Sequence, residues 1–133
     1  MRISELAERT GTTAKTLRFY EESSLLAEPA RTQNGYRDYD EAAIVRIQFV
    51  QAGQSIGLTL AEIRNLIGIR DGGASPCRAA TELLNEHLTA ITRRISELKI
   101  LKRDLIQLKI RASSLDPASC PPESICHVIN PRH

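Results

Sequence analysis

The sequence contains no tryptophan and few other aromatic residues, three Tyr and two Phe. All five precede residue 50, so the second half must be built from Leu and Ile, which favours long helices over a globular core. A signal peptide is not expected, because the first ten residues, MRISELAERT, carry charges where such a peptide has its apolar segment. No apolar run is long enough to cross a membrane. We therefore expect a cytoplasmic protein.

Cysteine and histidine are also scarce, with three of each in 133 residues. Cytosolic thiols are kept reduced, so three cysteines are more typical of metal binding, catalysis or inert thiols than of disulfides. Neither a Ser-His-Asp grouping nor a Gly-rich phosphate loop is present, and we expect no enzymatic activity. The net charge of +2 is too small to identify a nucleic-acid binder by itself.

The first 40 residues have the pattern of a winged helix-turn-helix. Residues 3–9 predict a short helix, Gly11 a turn, and residues 14–22 a second helix that Thr12 or Thr13 can cap. Pro29 stops any helix, and Asn34-Gly35 is a strong hairpin signal. A hairpin beside a helix-turn-helix is a wing.

Further helices are predicted after the wing. Asp40 can cap a helix reaching about Gln54, whose expected buried side consists of Ala43, Ile44, Ile47, Phe49 and Val50. Thr59 begins another helix, from Leu60 to Ile69. The residues from Asp71 to Pro76 form a Gly-rich linker.

The stretch from Cys77 to about Arg111 contains neither Gly nor Pro and predicts one helix about 50 Å long. Its apolar residues recur at steps of three and four, close to a heptad seam: Leu84, Leu88, Ile91, Ile95, Leu98, Leu101, Leu105 and Leu108. Such a helix is too long to fold back on a small domain, so we expect a homodimer through an antiparallel coiled coil. Heptads alone do not give the direction.

Cations and tyrosines mark a possible DNA surface on the helix-turn-helix and the wing. Lys15 and Arg18 lie one turn apart on the second helix, a spacing suited to phosphates or guanine edges. Arg31 and Arg37 flank the hairpin, and three tyrosines can bond phosphates while their rings pack: Tyr20, Tyr36 and Tyr39. The alternatives are core packing for Tyr20, a surface salt bridge with Glu21 or Glu22 for Arg18, and a helical bundle that binds nothing.

Several motifs together resemble the MerR family of transcription regulators. They are Ile-Ser-Glu-Leu-Ala at 3–7, Thr-Leu-Arg-Phe-Tyr-Glu at 16–21, Leu25-Leu26, Asn-Gly-Tyr-Arg-Asp-Tyr at 34–39 and Ile-Gly-Leu-Thr-Leu-Ala-Glu-Ile at 56–63. The resemblance implies a mainly α fold, with a winged helix-turn-helix and connector helices (1–70), a linker (71–76), a dimerisation helix (77–112) and a metal-binding loop and tail (113–133). It implies DNA contacts by Lys15, Arg18, Tyr20, Arg31, Tyr36 and Arg37.

The cysteines lie at the two ends of the long helix. In an antiparallel dimer, Cys77 of one chain would face the loop of the other, which contains Cys120 and Cys126. Thiolates select soft or borderline ions. Metal sensors of the family carry Cys77 and Cys120 equivalents, but their second loop cysteine stands near Ala112 or Ser113, where it is absent here. Cys126 can replace it, and Ser75 or His127 can complete the set.

The resemblance as a whole implies a dimeric sensor of a thiophilic heavy metal that activates a metal-resistance promoter by distorting its DNA, and so acts on RNA polymerase indirectly. A cysteine at position 77 favours a divalent ion (Zn, Cd, Hg or Pb) over Cu(I). The alternatives are a Cu(I) sensor, a regulator of the same fold that responds to thiol oxidation through a Cys120–Cys126 disulfide, and a coiled-coil module whose helix-turn-helix binds protein.

Overall fold

The computed structural model describes residues 1–130 and is mainly helical. Within these residues it contains five α-helices, one hairpin and a short 3₁₀ helix. The elements are α1 (Ile3–Thr10), α2 (Ala14–Glu22), β1 (Ala30–Arg31), β2 (Arg37–Asp38), α3 (Glu41–Ser55), α4 (Leu60–Asp71), α5 (Cys77–Ser113) and the 3₁₀ helix Pro117–Ser119. None of these helices is long and apolar enough to span a bilayer. The predicted mainly α fold with a wing is confirmed.

The turn between α1 and α2 is built as the sequence predicts. Gly11 ends α1 in the left-handed conformation, at φ 67°, which glycine adopts without the usual steric cost. Thr13 caps α2, since its side chain accepts a hydrogen bond of 3.1 Å from the backbone N–H of Thr16. Leu6 of α1 and Leu17 of α2 are fully buried in the same hydrophobic core, which anchors both helices.

The wing is a very short hairpin. β1 and β2 are antiparallel, with Ala30 opposite Asp38 and Arg31 opposite Arg37. The turn between them is closed by a 2.8 Å hydrogen bond from the Thr32 N–H to the Tyr36 carbonyl, and Gly35 takes a φ of 81° that suits glycine. Two residues in each strand give the hairpin little stability of its own.

α3 and α4 complete the core of the N-terminal region. The Asp40 side chain caps α3, and Thr59 with Glu62 forms a capping box on α4. Ile47, Val50 and Ile63 are fully buried. The prediction that Phe49 belongs to the buried side of α3 is wrong, because two residues of helix rotate its side chain to the far face from Ile47 and leave it 40% exposed.

The chain divides into two compact units, Met1–Asn85 and Glu86–His133. In the first unit, the opening turns of α5 contribute Ala79, Ala80 and Leu83 to the core. The second unit contains the rest of α5 and the short 3₁₀ helix. The domain boundaries predicted from the sequence stay predictions, and residues 131–133 of the predicted tail lie outside the described residues.

The seam of α5 is exposed in the single chain. All 37 residues of α5 lie within the described part of the chain, and none of them is buried. Among the seam residues, Leu84, Leu88, Ile91, Ile95, Leu98, Leu101 and Leu105 are between 44% and 60% exposed. A continuous apolar stripe of this kind is typical of a surface that is covered by another chain.

Candidate DNA interface and metal-ligand residues

The exposed face of α2 presents two cations. Lys15 and Arg18 are both exposed and lie one turn apart on this helix. None of the ion pairs found among residues 1–130 includes Arg18, and Glu21, one of its two suggested partners, is paired with Arg37. Both cations are therefore available to an anionic partner such as a phosphate.

Tyr20 points the other way, into the core. Its side chain is 6% exposed, and its hydroxyl donates a 3.1 Å hydrogen bond to Oε1 of Gln54 in α3. Burial raises the pKa of the Tyr20 phenol, which therefore stays a neutral donor. These contacts support α2 from behind and correspond to the packing alternative for this residue.

A residue at the tip of the wing is stacked with one from the N-terminus. Tyr36 is 51% exposed, and the Arg2 guanidinium lies 4.0 Å from the centroid of its ring, a cation–π contact. Arg31 supports the turn, since its Nη1 donates to the Gly35 carbonyl at 3.0 Å. Sequence reasoning missed Arg2, because only the folded structure brings the start of α1 beside the wing.

The base of the wing is fastened to α2 by a carboxylate. Arg37 Nε donates to Oε2 of Glu21 at 3.2 Å, and the Tyr39 hydroxyl donates to Oε1 of the same side chain. Tyr39 is 5% exposed. Burial first, and then the bond to Glu21, raise the pKa of its phenol well above the ordinary value. The expectation that Tyr39 can bond a phosphate is not realised in this structure, because its hydroxyl is directed at Glu21.

The three cysteines are all free thiols. Cys77 is the first residue of α5 and is exposed, whereas Cys120 and Cys126 follow the end of α5 and are partly buried. Cys126 lies at the start of a turn in which its carbonyl accepts a hydrogen bond from the Asn130 N–H at 3.1 Å. Hydrogen bonds from the backbone N–H groups of Ile129 and Val128 lower the pKa of the Cys126 thiol, and desolvation opposes them. This environment favours a thiolate.

Residues 1–130 of one chain do not assemble a metal site by themselves. No group of three or more His, Cys, Asp or Glu side chains within this range is placed to hold an ion. The donor chemistry nevertheless fits a soft or borderline cation, because all three candidate ligands are free thiols and one of them has a depressed pKa. Cys77, Cys120 and Cys126 remain predicted ligands.

A helix-turn-helix with exposed cations, an adjoining wing and a long C-terminal helix define a winged-helix DNA-binding regulator. Residues 1–68 match the family described as MerR HTH family regulatory protein, and residues 44–108 match the family described as MerR, DNA binding. The chain belongs to the MerR family.

Three of the similar proteins are transcription or operon regulators by name. A mercuric resistance operon regulatory protein from Bacillus cereus is 37% identical over 90% of this chain and 92% of its own length. A ZntR homolog from Haemophilus influenzae, an HTH-type transcriptional regulator, is 30% identical over 87% and 86%. The crystal structure of the transcription regulator PbrR691 from Ralstonia metallidurans CH34 in complex with lead(II) has a TM-score of 0.76 and 32% identity, covering 98% of each chain. These relatives are not enzymes, in agreement with the sequence argument.

Proposed function

We propose that this protein is a homodimeric transcription activator that binds promoter DNA and responds to a thiophilic divalent metal ion. The observation that carries the proposal is the arrangement along α5. One thiol stands at its first residue, two thiols follow its last residue, and an exposed apolar seam runs between them. The DNA-binding surface stands on the same chain.

The exposed seam supports the proposed dimer. Each half-exposed Leu or Ile that is transferred from water to a partner helix contributes on the order of 1 kcal/mol, and seven of them lie in one stripe. An antiparallel pair of α5 helices would bring the beginning of one helix beside the end of the other. Cys77 of one chain would then stand near Cys120 and Cys126 of its partner, so that each dimer has two sites.

The chemistry of the ligands selects a class of metal ions. Three thiolates favour soft or borderline ions over Mg²⁺ or Ca²⁺. The relatives include a mercuric resistance regulator, a regulator crystallised with lead(II) and CueR regulators, so the preference for a member of the Zn, Cd, Hg and Pb group over Cu(I) rests on the cysteine at position 77. The bound ion would supply positive charge that draws the thiolates of two chains together.

The proposed mechanism is a population shift in the dimer. Closing the two thiol sites would favour one arrangement of the two DNA-binding regions over another. Lys15, Arg18 and the wing residues Arg31, Tyr36 and Arg37 would transmit that change to the phosphate backbone. The promoter DNA would be bent and untwisted at a cost that the added contacts repay, and RNA polymerase would respond to the altered DNA in the cytoplasm.

The test combines DNA binding with metal stoichiometry. We expect the reduced protein to bind its own upstream region in a gel-shift assay, with an affinity that falls steeply as salt increases. Competition titration of the reduced dimer with Zn²⁺, Cd²⁺, Hg²⁺ and Pb²⁺ should give two ions per dimer. A monomeric protein, or one that binds no metal while reduced, would contradict the proposal.

Cys77→Ser separates the sensor from the DNA surface. We expect metal-dependent transcription in vitro to disappear while operator affinity is unchanged, because Cys77 lies outside the helix-turn-helix. Thr92→Ser, a change at another exposed position in the middle of α5, is the control and should stay inducible. A Cys77→Ser protein that is fully inducible would remove this thiol from the site.

A second candidate, a thiol-redox regulator of the same fold, is favoured by one observation, the depressed pKa of Cys126. Thiolates are the species that oxidants attack. Thiol counting distinguishes the two functions, since a Cys120–Cys126 disulfide consumes two free thiols per chain with no uptake of metal.

A further inference from the structure

Glu21 joins the two elements that are proposed to contact DNA. It lies near the end of α2, and its side chain is 14% exposed. One carboxylate oxygen accepts a hydrogen bond from the Tyr39 hydroxyl. The other accepts a 3.2 Å hydrogen bond from Arg37 Nε. A single carboxylate therefore connects α2, the proposed recognition helix, with the strand β2 and the residue that follows it.

The wing depends on contacts of this kind because its own ladder is minimal. Only two residue pairs connect β1 with β2, and a hairpin of this size is at best marginally stable alone. Beyond the hydrogen bonds of its turn, its supports come from elsewhere in the first unit, including the backbone hydrogen bond from the Tyr39 N–H to the Met1 carbonyl at 2.8 Å. The contact with Glu21 is the support that reaches α2.

The bond to Glu21 also orients Arg37. It uses Nε, and none of the hydrogen bonds found among residues 1–130 involves the two terminal nitrogens of this guanidinium. Arg37 is thereby held along one edge while its terminal donors stay free for a phosphate. A charge-assisted hydrogen bond at a partly buried carboxylate is among the stronger polar contacts in proteins.

We propose that Glu21 is a positioning residue for operator recognition. It fixes the distance between the recognition helix and the wing, so that Arg18 and Arg37 reach their phosphates at the same time. It is not a DNA contact, because both of its oxygens face the wing. This inference rests on the proposed DNA-binding function.

Glu21→Gln tests the inference against simple electrostatics. Removing a negative charge beside a DNA surface normally strengthens binding. We expect the opposite here, a loss of about tenfold in operator affinity, because the anchor of Arg37 is weakened. The matched control is Glu22→Gln, which removes the same charge from the neighbouring exposed residue and should leave the affinity unchanged or slightly increased.

The pattern of the loss identifies its cause. In Glu21→Gln, hydroxyl-radical footprinting should show lost protection at the wing-side phosphates and retained protection under α2. The slope of log affinity against log salt should fall by about 1, the value of one phosphate contact. Tyr39→Phe should produce part of the same effect. An affinity that matches Glu22→Gln, or a uniform loss of the whole footprint together with thermal destabilisation, would overturn the proposal.

Hydrogen exchange tests the anchor without DNA. The Thr32 amide, which closes the wing turn, should exchange faster in Glu21→Gln than in the wild type, whereas amides in the middle of α2 should not change. Equal exchange at Thr32 would show that Glu21 does not hold the wing. A wild-type protein that fails to bind its upstream DNA would contradict the proposed function instead, and this measurement would still decide the role of Glu21.

Discussion

Gly53 sets the distance between α3 and α4, and its replacement by alanine gives a sharp test of the packing. A Cβ at this position would lie 2.8 Å from both Cδ1 and Cγ1 of Ile63 and 3.7 Å from Cδ1 of Leu58. Ile63 is 0% exposed, so its side chain is enclosed by other residues and cannot swing out into solvent. The helices must move apart or Ile63 must take a strained rotamer.

The expected change in the free energy of unfolding of Gly53→Ala is the difference between two opposing effects. Overpacking a core costs about 1–3 kcal/mol, whereas Gly→Ala within a helix gains about 1 kcal/mol. Gly68 in α4 is the matched control, because a Cβ there meets nothing within 4 Å. We expect Gly68→Ala to raise the free energy of unfolding by up to about 1 kcal/mol and Gly53→Ala to lower it by up to about 2 kcal/mol.

Chemical denaturation at one fixed protein concentration measures both variants, since the proposed dimer would make the free energy of unfolding depend on concentration. Ile63→Val removes Cδ1 and should recover part of the loss in the Gly53→Ala background, which a double-mutant cycle detects as coupling. If both alanine variants were stabilised equally, α3 and α4 would not be in contact at Gly53, and the packing described here would be refuted.

Three further predictions concern local features. Thr59→Ala removes the capping box of α4 and should lower the free energy of unfolding by about 1 kcal/mol; no change in a urea titration would show that the cap contributes nothing. Ser24 has a φ of 61°, so Ser24→Gly should raise that free energy by about 1 kcal/mol, whereas destabilisation would contradict the left-handed assignment. With Cys77 and Cys120 replaced by serine, alkylation of Cys126 should have a midpoint below the ordinary thiol pKa. The midpoint should rise when the protein is unfolded, since its thiolate is stabilised only in the fold; equal midpoints would contradict the backbone hydrogen bonds.

Local signals in the sequence predict the secondary structure well. The helix from Ala14 to Glu22 and the start of the long helix at Cys77 were predicted at their observed positions. Helix caps, glycine turns and hydrophobic spacing depend only on residues that are close in the sequence, so they can be recognised from the sequence alone. Asn34-Gly35 is a local signal of the same kind, and the hairpin that it predicts is present in the structure.

Contacts between distant residues could not be predicted in this way. Tyr20 and Gln54 are 34 positions apart, and Tyr39 reaches Glu21 across 18 positions. A tyrosine on or near a helix with exposed cations has the same sequence pattern whether its hydroxyl meets a phosphate or a buried side chain. The predicted metal ligands are a similar case, because their assembly depends on a second chain.

The brevity of the wing has a consequence for protein engineering. A segment of residues 30–38 carries too short a ladder to keep its shape when grafted onto another scaffold. Exchanging operator preference between two related regulators is therefore expected to succeed when residues 14–39 are moved as one cassette. With the role proposed for Glu21, a chimera that combines the hairpin of one parent with the helix of another requires an acidic side chain at position 21 of the recipient.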